Sequence, residues 1–335
     1  MNELVSAVVT TYDRPMKVKA AIESTLAQTY EPLEILVVED GTDSGVRECL
    51  NTEGVGEVTY VRHENNQGLA AARNTGLERA SGEFVAYLDD DDRWKPERIE
   101  RQMDYITGMS TEERDSLGAI ACAVEIRQPD GDVDTVVKPK NYGNLREEIK
   151  AKGASTPSSA MLFDREALVS VGGYDEELAS GIDHDIWMAL AVNGYDAHAI
   201  MEPLVVTYRD GADSMVTNTE ERIRGVRAYV DKWQPTYKEW FGEEEGERYG
   251  QRYFAWVIGR LAGDLISQGH VRDAIRALCA VNSSGADFQY LLKVLYLNVL
   301  TAVVKKSVPD PIESKLRSIH RRLLPYIRGE HKRRL

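Results

Sequence analysis

The sequence predicts an α/β protein: a doubly wound, mostly parallel sheet with a small antiparallel edge, followed by an α-helical C-terminal region. Three observations predict it. Short β-rich apolar runs alternate with helical patterns from Leu4 to Leu88. The first, second and fourth of these runs end in polar clusters, and from about Thr219 apolar residues recur at helical spacing alone. The change of pattern divides the chain into domains 1–215 and 216–335.

The first strand, Leu4 to Val9, runs into Thr10-Thr11-Tyr12-Asp13-Arg14-Pro15, after which Val18, Ala21, Ile22, Thr25 and Leu26 follow helical spacing. A second strand, Leu33 to Val38, ends in Glu39-Asp40-Gly41-Thr42-Asp43 and leads to a short helix from Ser44 to Asn51. Val58 to Arg62 reads as a third strand and Gly68 to Ala80 as a helix. Phe84-Val85-Ala86-Tyr87-Leu88 then forms a buried strand that stops at Asp89-Asp90-Asp91-Asp92. The polar clusters therefore gather on the C-terminal edge of the sheet, where open α/β sheets hold ligands.

Composition narrows the function. A net charge of −14 argues against general nucleic-acid binding, which needs basic surface to neutralise phosphates. Cys49, Cys122 and Cys279 are odd in number and widely separated, so neither a disulfide framework nor a metal knuckle is expected, and a reducing compartment is. Met1-Asn2-Glu3-Leu4 lacks the basic region of a signal peptide, and no uncharged apolar run is long enough for a conventional membrane span. The expected location is the cytoplasm.

Four consecutive carboxylates repel one another, and a hard divalent cation shared with substrate phosphates is the usual compensation. A solvated acidic turn is the plainer alternative. The order of the surrounding motifs discriminates between them. Thr10 to Pro15, Ser24-Thr25-Leu26-Ala27-Gln28-Thr29-Tyr30, Val37 to Thr42, Asn66-Gln67-Gly68-Leu69-Ala70-Ala71-Ala72-Arg73-Asn74-Thr75-Gly76 and Leu88 to Asp92 follow one another along residues 4 to 210. Together they resemble the family 2 glycosyltransferases, which have the GT-A fold. The resemblance implies a nucleotide-sugar donor, with Tyr12 stacking on its base and Asp40 accepting a hydrogen bond from a base N–H. It places Thr10 in backbone contacts, Arg73 near the nucleotide, Asp89 and Asp90 toward the ribose, and Asp91 on a divalent metal, Mn2+ or Mg2+. Asp92 is expected only to close the turn. Glu39 stands where the family usually has another aspartate, which leaves the base less defined, with uracil favoured.

In the second half, Leu117 to Ile126 and Val133 to Val137 flank a Pro129-Asp130-Gly131-Asp132 turn and read as an edge hairpin. Helix and loop are expected over 138–156, a strand over Thr156 to Phe163 and another from Leu204 to Thr207. Gly172-Gly173-Tyr174-Asp175-Glu176 precedes Gly181-Ile182-Asp183-His184-Asp185 at a helix start. The resemblance makes Asp183 the catalytic base, although Ile182 replaces the family's glutamate; a plain N-cap residue is the alternative. His184 and Asp185 do not share a helix face, so a second metal site is not expected there. Arg209, after the strand, is a candidate for phosphate support.

The helical region carries Ile223, Val226, Tyr229, Val230 and Trp233, then Trp256, Ile258, Leu261, Leu265 and Ile266, with a break at Gly269-His270. Phe288 to Val304 is apolar, and ten basic against three acidic residues follow it. That pairing suits an anionic membrane surface and equally a packed helix with a solvated end. The chain has neither the Gln-X-X-Arg-Trp motif nor the bundle of spans of the family's processive synthases. The expectation is an inverting, metal-dependent transferase moving one sugar, from a UDP-sugar before others, to a glycan or lipid-linked acceptor. The alternatives are a silent nucleotide-sugar-binding or glycan-binding module, which Ile182 favours, and a sugar nucleotidyltransferase.

Overall fold

The computed structural model describes residues 2–41, 43–50, 58–128, 130–139, 143–152, 156–208, 219–283 and Tyr290. It divides into two compact units, Met1–Ser214 and Met215–Leu335. The first is built on one nine-stranded sheet of mixed direction. Strands β1 (Val5–Thr11), β2 (Leu33–Glu39), β3 (Thr59–Arg62) and β4 (Phe84–Asp89) run parallel in the order β3-β2-β1-β4. β8 (Met161–Asp164) then pairs antiparallel with both β4 and β6 (Leu117–Arg127). β6 returns parallel to β9 (Asp196–Tyr208), and β9 pairs antiparallel with the three-residue β5 (Asp92–Trp94). The expected hairpin is present: β7 (Val133–Val137) pairs antiparallel with β6.

Strand periodicity sorts the side chains between two faces. Val5, Ala7 and Val9 join Val18, Ala21 and Ile22 of helix α1 (Pro15–Leu26) and Ile99, Met103 and Ile106 of helix α4 (Arg98–Thr107) in one core. Val8 faces the other way, onto helix α3 (Leu69–Arg79) at Gly76. α2 (Val46–Leu50) links β2 to β3, and α5 (Thr111–Asp115) precedes β6 behind a Ser110/Glu113 capping box.

Three expectations change. Thr156 to Phe163 is a strand only from Met161; Ser158–Ala160 form a 3-10 turn after Pro157, closed by the Ala160 N–H on the Pro157 carbonyl at 2.9 Å. The strand expected at Leu204 begins at Asp196 and is kept in step with β6 by register shifts around Cys122 and Ala123. Asp92 does not merely close a turn; it opens β5 and is buried. Helices α6 (Leu145–Lys152), α7 (Arg165–Ser170) and α8 (Ile182–Val192) complete the unit.

The second unit is helical, as its periodicity predicts: α9 (Thr219–Phe241), α10 (Glu243–Gln268) and α11 (Val271–Ser283). Gly242, at φ 87°, allows the reversal between α9 and α10, and Gly269, also left-handed, ends α10. Val226, Tyr229, Val230, Trp233 and Tyr237 of α9 are buried, as are Phe254, Ala255, Ile258, Leu261 and Ala262 of α10. Among the described residues no helix is long and apolar enough to cross a membrane. Thr42, Arg209 and the apolar and basic tail from Phe288 lie outside the described residues, apart from Tyr290.

Candidate active site

The acid run lies where β4 stops, and the alternation of the strand decides where each carboxylate goes. Asp89 stays on the face of Tyr87, toward α3. There Arg73 NH2 donates to both its oxygens, at 2.9 and 3.2 Å. Thr10 Oγ1 approaches Asp89 Oδ1 at 3.5 Å. Asp90 points to the opposite face, is fully buried and receives Thr11 Oγ1 at 2.6 Å. Arg14 holds it by a hydrogen bond from Nε to Oδ2 at 3.0 Å and by an ion-pair contact of NH2 with Oδ1 at 2.6 Å. Asp91 is 40 % exposed, and among the described residues its hydrogen bond is from Arg14 NH1 at 3.2 Å. Asp92 turns inward to the hydroxyls of Ser159 and Thr207.

Burial dominates the proton affinities of the enclosed acids. It pushes Asp90 up to about 6 against the pull of Thr11 and Arg14, and with the help of Asp89 it pushes Asp92 up to about 7. Asp89 is raised too, by burial first, although Arg73 opposes it.

Arg73 is the hinge of the arrangement. It is wholly buried, and its second nitrogen, NH1, donates to Asp183 Oδ1 at 2.7 Å and to Ser158 Oγ at 3.1 Å. One guanidinium therefore joins the end of β4 to the first turn of α8, with its cationic carbon 5.1 Å from the Tyr174 ring centroid and 5.8 Å from that of Tyr87. Arg73, expected near the nucleotide, has its charge paired with two carboxylates of the site. Ser158 donates to Asp183 Oδ1 at 2.5 Å, so its oxygen accepts from the Tyr174 hydroxyl at 2.9 Å. Burial would raise the proton affinity of Asp183, but Arg73 and Ser158 outweigh it and hold the carboxyl below the usual aspartate range. Asp183 is 38 % exposed, and among the described residues its Oδ2 accepts no hydrogen bond. It is not an N-cap residue. Left-handed Gly181 occupies that position, and Asp183 stands in the first turn where the helix dipole favours its charge. Ile182 beside it is buried in the core, so the position of the family's glutamate is filled by packing.

The α3 motif also fixes the approach to α8. Asn74 Nδ2 donates to the Tyr174 carbonyl at 2.8 Å and its Oδ1 accepts the Tyr174 N–H at 2.8 Å. Gly173, at φ 69°, passes so close that a Cβ there would lie 2.6 Å from Asn74 Oδ1.

At the other end, Tyr12 is 52 % exposed, and its ring lies against Gly41, whose added Cβ would stand 3.2 Å from Tyr12 Cε2 and 3.4 Å from the Asn66 nitrogen. Asp40 is buried and turned toward the chain, accepting the Gln67 and Gly68 N–H groups at 2.8 Å each and His63 Nδ1 at 2.8 Å. Three of its roughly four lone-pair sites are filled, so it first holds the loop that starts α3. Glu39 uses its extra length to reach the Ser44 N–H and hydroxyl and the Tyr60 hydroxyl.

Among the described residues no three acids, histidines or cysteines converge as a metal cage. Asp91 nevertheless fits a hard cation of the kind held by one carboxylate and substrate phosphates, because it is a half-exposed oxygen donor whose hydrogen bond among the described residues is to Arg14. Sequence reasoning missed Arg14, Ser158 and Tyr174 as site residues. Arg14 and Tyr174 lie inside quoted motifs, whereas Ser158 gave no signal beyond a hydroxyl after a proline.

The sheet order and the site at the C-terminal edge of β4 are those of the GT-A fold. TarS from S. aureus, in complex with UDP-GlcNAc, superposes with a TM-score of 0.56 at 16% identity, covering 87% of this chain and 90% of that one. The mannosyltransferase PcManGT from Pyrobaculum calidifontis, in complex with GDP-Man and Mn2+, gives 0.54 at 20% identity, covering 91% and 87%. Residues 6–111 match the family described as glycosyl transferase family 2. TuaG of Bacillus subtilis, assigned to teichuronic acid biosynthesis, is 26% identical over 267 residues, 79% of this chain and 97% of its own. WcaA of Escherichia coli, assigned to colanic acid biosynthesis, is 23% identical over 71% of this chain and 86% of its own. The match to that family covers residues 6–111 of the first unit, and the relatives named are glycosyltransferases.

Proposed function

We propose that the protein transfers one sugar, with inversion, from a nucleotide-diphosphate sugar to an acceptor hydroxyl. The observation that carries this reading is the Arg73 bridge, which joins the acid run at β4 to Asp183 and engages its Oδ1, with no hydrogen bond on Oδ2 among the described residues. Tyr12 stacks on the base, the backbone at Gly41 and Asn66 borders it, and the remaining lone pair of Asp40 is the carboxylate contact within reach of a base N–H. A UDP-sugar is favoured, by the family resemblance and the TarS complex. Asp89, fixed by Arg73, shapes the ribose side, while Asp90, buried and held by Arg14, supports the turn from the opposite face.

Asp183 takes the proton of the acceptor hydroxyl on Oδ2 as that oxygen bonds to the anomeric carbon and the bond to the diphosphate breaks. Its depressed proton affinity keeps it ionised and ready to receive the hydroxyl. The anomeric centre passes through an oxocarbenium-like state, which the nearby carboxylates favour. Asp91 would hold a divalent cation, Mn2+ or Mg2+, whose charge offsets that of the leaving nucleoside diphosphate.

The acceptor is proposed to be a glycan, free or lipid-linked. Relatives named for teichuronic and colanic acid biosynthesis support the first, and the apolar and basic C-terminal sequence supports attachment at the cytoplasmic face of a membrane. Nucleoside-diphosphate release from UDP-, GDP- and dTDP-sugars, with Mn2+ or Mg2+ and a membrane extract as acceptor source, tests the reading. Release with one donor, lost in both Asp91→Asn and Asp183→Asn, is expected. Pyrophosphate release instead would indicate a nucleotidyltransferase, and donor binding without turnover a silent module.

A further inference from the structure

Asp89 has Arg73, and Asp92 receives the hydroxyls of Ser159 and Thr207, while among the described residues the ion pairs of both Asp90 and Asp91 are with Arg14. The two contacts of Arg14 differ in kind. Toward Asp90 it makes a hydrogen bond from Nε at 3.0 Å and an ion-pair contact from NH2 at 2.6 Å, onto a carboxylate with no exposure, while toward Asp91 it makes one bond at 3.2 Å onto a side chain 40 % exposed. A planar guanidinium has five N–H groups in fixed directions, so it can keep the first grip while giving up the second. The backbone holds it there. Asp13 is left-handed at φ 51°, a conformation that aspartate tolerates better than most residues, and Pro15 starts α1 directly after Arg14. The turn sends the Arg14 side chain back across the ends of β1 and β4 rather than into solvent, leaving it 23 % exposed.

We propose that Arg14 is the resident counter-cation of the acid run, anchored on Asp90, and that it holds Asp91 in competition with the divalent cation. This rests on the metal-assisted reading above. Without metal, Arg14 NH1 neutralises Asp91 and keeps the run from repelling itself apart. When Asp91 turns to a cation, NH1 loses its acceptor while the Nε bond and ion pair to Asp90 stay, leaving an N–H of fixed direction beside the place of the diphosphate. Arg14 then serves as a positioning residue whose second bond is exchangeable, and metal binding is weakened until the donor supplies phosphate oxygens.

The test is Mn2+ binding to the full chain without donor, read by electron paramagnetic resonance of free Mn2+, for wild type, Arg14→Gln, Arg14→Lys and Asp91→Asn. Arg14→Lys keeps a charge for buried Asp90 but one ammonium cannot span both acids, so it also guards against failure to fold. Both Arg14 variants are expected to bind Mn2+ about three- to tenfold more tightly than wild type, from loss of one partly exposed charge contact. Asp91→Asn should abolish binding in every background. Equal or weaker binding in Arg14→Lys and Arg14→Gln overturns the competition while leaving the metal at Asp91 standing. Binding that survives Asp91→Asn, or no binding in any form, overturns the metal assignment and the proposal with it.

Discussion

Gly76 is where the packing of α3 can be put to a quantitative test. In a helix interior, Gly→Ala alone stabilises by about 1 kcal/mol. Here the new Cβ would stand 2.2 Å from Val8 Cγ1 and 3.0 Å from Cγ2, where carbon contacts settle at about 3.5–4 Å. Relief needs a displacement of more than an ångström on the order of these contact distances. Val8 cannot yield, because β1 is paired on one side by β2 and on the other by β4 and its side chain is fully buried. Overpacking of this severity costs about 3 kcal/mol, so Gly76→Ala should lose a net ~2 kcal/mol. For a unit of this size that lowers the melting temperature by about 4–8 °C in calorimetry. Val8→Ala removes both offending atoms, so the double variant should recover at least about 1 kcal/mol over the sum of the single changes. Because α3 also carries Arg73 and Asn74, transferase turnover should fall with Gly76→Ala and return partly in the double variant. A melting temperature unchanged or raised, or strictly additive effects, would refute the packing argument.

Other expectations follow from the site. Asp92, raised to about 7, and Asp90, raised to about 6, bind protons more tightly when folded, so between about pH 4 and 7 the folded state loses stability as pH rises. In chelator, wild type should melt lower at pH 8 than at pH 5, by roughly 2–4 kcal/mol of stability; Asp92→Asn should flatten the profile, and a profile just as steep would count against the burial of that charge. Asp183 acts with the opposite sign: its depressed value adds stability above the ordinary aspartate range, lost as pH falls through the folded value. Ser158→Ala removes a hydrogen bond to the ionised form of Asp183, so the acidic limb of the kcat profile should move to higher pH, by up to about one unit, with donor affinity unchanged. Tyr12→Ala should weaken donor binding by about 1–3 kcal/mol in titration calorimetry, with Tyr12→Phe near wild type; equal loss in both would sink the stacking role.

Much of this was legible in the chain itself. The apolar runs before Thr10, Glu39 and Asp89 are strands buried on both faces, so they announce themselves, and the acid run is their unmistakable end. The split of that run was less accessible: period two separates Asp89 from Asp90, but only tertiary pairing says that Arg73 waits on one side and Arg14 on the other. β5 is three residues long and exists because β9 pairs with it. β9 itself is masked by polar residues and Pro203, and its register against β6 is corrected by irregularities that no periodicity predicts. Asp183 is visible through its motif, whereas Ser158, which shares its Oδ1 with Arg73, sits in a 3-10 turn that reads as strand.

In the proposed reaction one displacement occurs at one centre, with Asp183 as the base across the Arg73 bridge from the acid run. The configuration of the new glycosidic bond, read from the anomeric proton by NMR on product made from an α-linked donor, tests that most directly. A β-linked product from wild type, with none from Asp183→Asn, is the predicted result. An α-linked product would contradict the single displacement and the role given to Asp183.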